Sequence, residues 1–283
     1  MLNKNVETFL GCDCNYRDAA IVLFGAPFDS TTSYRPGARF GSRAIRAESY
    51  GLETYSPYQD KDLSDYAVFD SGDLELCFGS AESALGDVQQ RTQTILEDGK
   101  RSVMLGGEHL LTLGVVRALL KKYPDLCIIH FDAHTDLRID YLGASLSHAS
   151  IIRRCWELVG DGRIWQFGIR SGERAEFEWA KKHVSLRLFD FEGLAQAIKE
   201  IKGRPVYFTL DLDVLDPACF CGTGTPEAGG VSFLALLEAI KTVCTANIVG
   251  CDVMELAPML DQSGASTALA CKVVRELLLG ISK

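Results

Sequence analysis

The chain has 283 residues, of which 47% are hydrophobic and 24% charged, the balance of an ordinary globular protein with a sizeable core. Its formal net charge of -9 argues against nucleic acid as a partner and suits a small cationic ligand. No apolar stretch approaches the length of a membrane span.

In chain order, the opening MLNKNVETFLGCDCNYRDAA holds no apolar core of signal-peptide length. The 10 cysteines form no obvious disulfide framework, and these features predict a cytoplasmic protein. Cys127, Cys244 and Cys251 read as small core residues, and the C-x-C pairs Cys12/Cys14 and Cys219/Cys221 lack zinc spacing. Apolar runs rich in β-branched and aromatic residues recur at 19–26, 66–70, 101–107, 126–132, 163–169, 184–190, 205–211 and 246–253. Near-continuous apolar runs are how strands of a parallel sheet covered on both faces read. Helical spacing occupies 83–100, 110–124, 149–160, 172–183, 193–203 and 232–243. The alternation predicts a three-layer α/β/α sandwich, and the lack of a linker or repeat predicts one domain over 1–283.

Four of the runs end in ionisable residues: Glu108-His109, Asp132-Ala133-His134-Thr135-Asp136, Asp211-Leu212-Asp213 and Asp252-Val253-Met254-Glu255. Ligands of open α/β sheets bind beyond the carboxyl ends of the strands. On an extended chain Asp132, His134 and Asp136 would share a face, as would Asp211 and Asp213. Burying such charges without partners costs several kcal/mol each, so either these ends are solvated or a cation sits there, and six such donors together favour the cation. Single aspartates after strands, such as Asp29, Asp70 and Asp190, read as turn formers or caps, and His130 as a satisfied core residue. Two imidazoles and four carboxylates exceed one tetrahedral ion and suit two divalent ions with shared carboxylates. Oxygen-rich ligation points to manganese; zinc, cobalt and iron also fit such a donor set.

The motifs GGEH (106–109), HFDAHTD (130–136), SHAS (147–150), LDLDVLDPA (210–218), GTGTPEAGG (222–230) and DVMELAP (252–258), with RPGARFGSRAIR (35–46), resemble those of the ureohydrolase family of arginases and agmatinases. The resemblance spans nearly the whole chain. It implies an arginase-type fold with an eight-stranded sheet, two Mn2+ per chain, a homotrimer or homohexamer, and hydrolysis of a guanidino group to urea and an amine. By position, His109, Asp132, His134, Asp136, Asp211 and Asp213 match the metal ligands. His148 matches the catalytic histidine, and Glu255 the carboxylate that pairs with the guanidinium. Thr225 matches a second substrate contact, with a plain turn residue as its alternative.

QFGIRSG (166–172) and LRIDYLGASLSHAS (137–150) resemble agmatinases more than arginases, which makes agmatine, cleaved to putrescine and urea, the expected substrate. Aminopropylagmatine, guanidinobutyrate, arginine and formiminoglutamate stand as alternatives, and a non-catalytic metal-binding protein as a distant one. Asp140 could face the far ammonium of agmatine or be a solvated loop residue, whereas Arg138 or Arg170 could meet a carboxylated substrate. ACFCGTGTP departs from the family pattern at Cys219 and Cys221.

Overall fold

The computed structural model describes residues 7–282; the first six residues, part of the stretch expected to hold no signal-peptide core, and Lys283 lie outside it. In chain order the elements are β1 (Ile21–Ala26), α1 (Gly41–Ser49), β2 (Tyr55–Ser56), β3 (Lys61–Asp62), β4 (Val68–Asp73), α2 (Ala81–Glu97), β5 (Arg101–Gly106), α3 (Thr112–Lys122), β6 (Cys127–Phe131), α4 (Ile151–Val159), β7 (Ile164–Ile169), α5 (Arg174–His183), β8 (Ser185–Leu188), α6 (Leu194–Ile201), β9 (Pro205–Asp211), α7 (Phe233–Val243), β10 (Asn247–Met254) and α8 (Ala265–Ile281). Eight strands form one sheet in the order β4-β1-β5-β10-β9-β6-β7-β8, every neighbouring pair parallel. The short β2 and β3 pair antiparallel outside it.

Alternation of side chains across the sheet builds two cores. Cys127, Ile129 and Phe131 of β6 and Val206, Phe208 and Leu210 of β9 point into one, shared with α1, α6, α7 and α8. Ile128 and Tyr207 point into the other, shared with α2, α3, α4 and α5. This is the expected three-layer sandwich. Continuous burial of β1, β6, β7 and β9 explains their unbroken apolar runs.

All eight expected strands and all six expected helices are present; α1 and α8 were not expected. Asp70 and Asp29 do more than turn the chain. Asp70 is buried against Arg46 at 2.7 Å and accepts from the Phe9 N–H, while Asp29 accepts from the Gly37 N–H and pairs with Arg39.

Candidate metal centre

The strands β5, β10, β9 and β6 are adjacent in the sheet, and their carboxyl ends meet at one place. At the end of β5, the N–H groups of Gly107 and Glu108 bond the carbonyls of Ala26 and Phe28 at 3.0 and 2.7 Å. A Cβ on Gly107 would sit 2.0 Å from the Phe28 carbonyl oxygen, so only glycine lets the chain pass. The turn delivers His109, fully buried, over the strand ends.

His109 Nε2 lies 2.8 Å from Thr209 Oγ1, and the Thr209 hydroxyl donates to Asp252 Oδ1 at 2.7 Å. Thr209 therefore accepts from His109, which fixes a proton on Nε2 and, in the neutral ring that a metal ligand must be, leaves Nδ1 bare. Nδ1 faces Asp132 Oδ2 at 3.1 Å, Asp211 Oδ2 at 3.2 Å and Asp136 Oδ2 at 3.6 Å, yet makes no hydrogen bond. A buried lone pair among three carboxylate oxygens is repulsive unless a cation lies between them. The donor set therefore fits a metal.

A second group adjoins the first. His134 Nδ1 lies 3.0 Å from Asp213 Oδ2 and 3.4 Å from Asp132 Oδ1. Asp132 thus turns one oxygen toward each group and belongs to both. The six residues expected as ligands are all brought together, though not by strand alternation. Strand β6 ends at Phe131; beyond it His134 bridges to Ser171, and Asp136 takes a left-handed backbone at φ 52°. Asp213 lies in a single helical turn whose N–H bonds Asp211 Oδ1 at 2.8 Å. Burial and neighbouring carboxylates push the Asp136 and Asp211 carboxyls well up, the crowding that divalent cations relieve.

A cleft of about 240 Å³ opens over this floor and is lined by His148, Glu255 and Thr225. Glu255 also has a left-handed backbone, at φ 67°, and its Oε1 accepts from the His109 N–H at 2.7 Å. Burial, with buried Glu108 nearby, pushes its carboxyl up. Thr225 Oγ1 lies 3.4 Å from Asp213 Oδ2. His148 opens a short helical turn capped by Ser147; its N–H bonds Thr31 Oγ1 and its Nε2 lies 3.2 Å from Ser33 Oγ. Burial pushes its imidazole down to about 4.

At the mouth, Arg138 is held by Glu173 at 2.8 Å and lies over the Tyr141 ring, with Glu176 3.9 Å away. Two expectations for this region fail. Asp140 is exposed and outside the cleft, its carboxylate turned back onto the Gly143 N–H of its own loop. Arg170 is taken up by the carbonyls of Gly168, Asp213, Val214, Leu215 and Glu227, so it braces the floor.

A model of the arginase family matches residues 19–280. The chain belongs to the arginase family. Among its relatives, an agmatinase from Bacillus subtilis is 46% identical over 98% of this chain and 97% of its own. A crystal structure of a candidate agmatinase from Clostridium difficile superposes with a TM-score of 0.92 at 49% identity, covering 95% of this chain and 99% of that one. The agmatine ureohydrolase of Thermoplasma volcanium gives 0.90 at 34% identity, covering 98% and 95%.

In this arginase-family site several contributors were hidden in the sequence. Glu108, inside the recognised GGEH, accepts from Thr31 N at 2.8 Å and from the Thr31 hydroxyl, which in turn receives His148; its place beside His109 was the available signal. Glu176 accepts from the Thr135 hydroxyl at 2.6 Å and the Leu137 N–H at 3.0 Å, so α5 holds the D-x-H-x-D segment. Nothing in GERAEFEW marks it. Asp252 accepts from the hydroxyls of Thr112 at 2.6 Å, Thr209 at 2.7 Å and Tyr207, and its strand-end position was visible without its role.

Proposed function

We propose that the chain is a manganese-dependent ureohydrolase that cleaves agmatine to urea and putrescine, working as one cytoplasmic domain in a homotrimer or homohexamer. The observation that carries the substrate is the state of Arg138. The arginine at the cleft mouth is already engaged by Glu173, with Glu176 beside it, so it is not free to receive a substrate carboxylate. A substrate whose far end is an ammonium needs no free cation there, while its guanidinium meets Glu255 on the floor. Near full-length similarity to agmatinases supports the same reading.

His109, Asp132, His134, Asp136, Asp211 and Asp213 would hold two divalent ions, with Asp132 shared between them. Bound there, the ions supply the Lewis acidity that lets water act as a nucleophile near neutral pH. The oxygen-rich donors favour manganese. Glu255 pairs with the guanidinium and fixes its plane, and Thr225 offers a hydroxyl beside it. Water adds to the guanidinium carbon, the C–N bond to the aminobutyl chain breaks, and that nitrogen leaves with a proton. His148, neutral and backed by Ser33 and the Thr31 contact, is the group in the cleft placed to carry it.

The test is kcat/KM for agmatine, arginine and 4-guanidinobutyrate with manganese-loaded protein. An unpaired buried carboxylate costs several kcal/mol, and each ~1.4 kcal/mol is tenfold, so agmatine should lead by about a hundredfold or more. Equal values, or a lead for either acid, would overturn agmatine as the substrate. Elemental analysis should return two manganese ions per chain, and one would sink the dinuclear reading. Light scattering reads the assembly.

A further inference from the structure

His130 carries chemistry that its place inside a buried strand conceals. Its ring is fully buried and both nitrogens are engaged: Nε2 lies 2.8 Å from Asp132 Oδ2, and Nδ1 lies 2.9 Å from Gln166 Nε2. The Gln166 Nε2 also lies 2.7 Å from the Thr135 carbonyl oxygen. A carbonyl only accepts, so that end of Gln166 is the NH2, and its second hydrogen points at His130 Nδ1. Nδ1 is therefore the acceptor, the His130 proton sits on Nε2, and Nε2–H donates to Asp132.

Asp132 Oδ2 thus sees two imidazoles with opposite roles. His130 brings a proton at 2.8 Å, and His109 brings a bare lone pair at 3.1 Å; the two rings lie 5.1 Å apart. One side of the oxygen is closed by a hydrogen bond, and the other is left for a cation. Asp132 is also the carboxylate common to both groups, so its rotation sets both at once.

We propose that His130, oriented by Gln166, is a positioning residue that locks the shared carboxylate of Asp132 and thereby sets metal affinity, without itself being a ligand. This inference rests on reading the cluster as a metal site. Groups that orient ligands in this way typically contribute 10–100-fold in affinity.

Manganese isotherms on chelator-stripped protein test it through H130F, H130Q and Q166L. His130→Phe keeps an aromatic ring and removes the donor; His130→Gln can still place an N–H near Asp132. We expect H130F to bind two ions per chain with affinity lowered about 10–100-fold. H130Q should stay within about threefold of wild type and Q166L should fall between them, because affinity follows the N–H donor. Unchanged affinity in H130F, or loss of a whole equivalent of metal in both H130F and H130Q, would overturn the inference, the second by making His130 a ligand. If H130F fails to fold, Q166L decides: wild-type affinity there removes the orienting role. Wild-type protein that takes up no manganese would instead refute the metal site itself.

Discussion

At the scale of single residues, His148 stands apart from the carboxylate cluster on the cleft floor. His148 is anchored through its backbone to Thr31 and reaches Ser33, with no ligand aspartate as a hydrogen-bond partner. His148→Ala should therefore retain its manganese while turnover falls ~10²–10⁴-fold, the usual contribution of a general acid–base group. Metal analysis and kcat on the same sample check this; wild-type kcat would make His148 structural. Glu173 pairs with Arg138 at the cleft mouth. Glu173→Gln releases the Arg138 guanidinium from its closest carboxylate, so the ratio of kcat/KM for agmatine over 4-guanidinobutyrate should fall by about tenfold or more, one charged contact being worth roughly 1.4 kcal/mol or above. An unchanged ratio would remove Arg138 from substrate choice. The candidate ligands were legible because carboxylates and imidazoles crowded at the ends of apolar runs are too costly to bury without a cation. Their support was not. Thr209, Gln166 and His130 look like ordinary strand residues until the neighbouring strand is known, and sequence spacing could not reveal that Asp140 turns back on its own loop.

At the scale of elements, strands were more legible than helices, for a physical reason. A strand buried on both faces writes an unbroken apolar run, whereas α8 is buried nearly all round and shows no polar stripe to frame a helical period. Its one buried ionic pair, Arg275 with Glu276 at 2.6 Å, breaks the apolar pattern without revealing a face. The short α1 is mostly polar and begins at Gly41, where a Cβ would lie 2.5 Å from the Leu256 carbonyl oxygen. The head of α8 is held by Asp261, which accepts from the Ser263 and Ser266 N–H groups at 2.9 and 2.8 Å. The Ser263 and Ser266 donors keep its carboxyl well below the usual range. The unfolded chain, with an ordinary carboxyl near 3.9, binds the proton first as pH falls. The stabilisation is therefore complete above about pH 4 and is lost only as pH drops through the folded value. Asp261→Ala should cost about 1–2 kcal/mol, the range for losing a helix-capping side chain, and the same amount at pH 8 and pH 5.5. Urea unfolding of metal-free wild type and variant gives the difference; a gap that narrows between those pH values contradicts the assignment.

Across the whole molecule, the sheet follows the alternating pattern, but the order of its strands was not written in that pattern. The four strand ends that meet at the cleft are neighbours as β5-β10-β9-β6, although β10 comes last in the chain. The polar residues beneath the cluster, among them Thr112, Tyr207, Thr209, Asp252, His130 and Gln166, lie amid an otherwise apolar layer. They are tolerated there because almost every one finds its partner on an adjacent strand or on α3.

That scattering of strand ends has a kinetic consequence. No contiguous stretch of chain carries all six candidate ligands, which stand at the ends of β5, β6 and β9, and β10, the strand that lies between β5 and β9, leaves the ribosome on the order of tens of seconds after synthesis begins. Long-range parallel pairing must come first, and it is the slow kind. A divalent ion held by this cluster would then have nothing to template and would bind only a sheet that has already closed. Refolding rates of denatured protein should accordingly be the same with and without manganese. The metal's whole effect, about 2.7 kcal/mol for each ion bound at a free concentration a hundred times its Kd, should fall on the unfolding rate. Stopped-flow refolding accelerated by manganese would mean that part of the cluster assembles before β10 joins, and a cell short of the metal would then accumulate unfinished chains rather than finished, empty and short-lived ones.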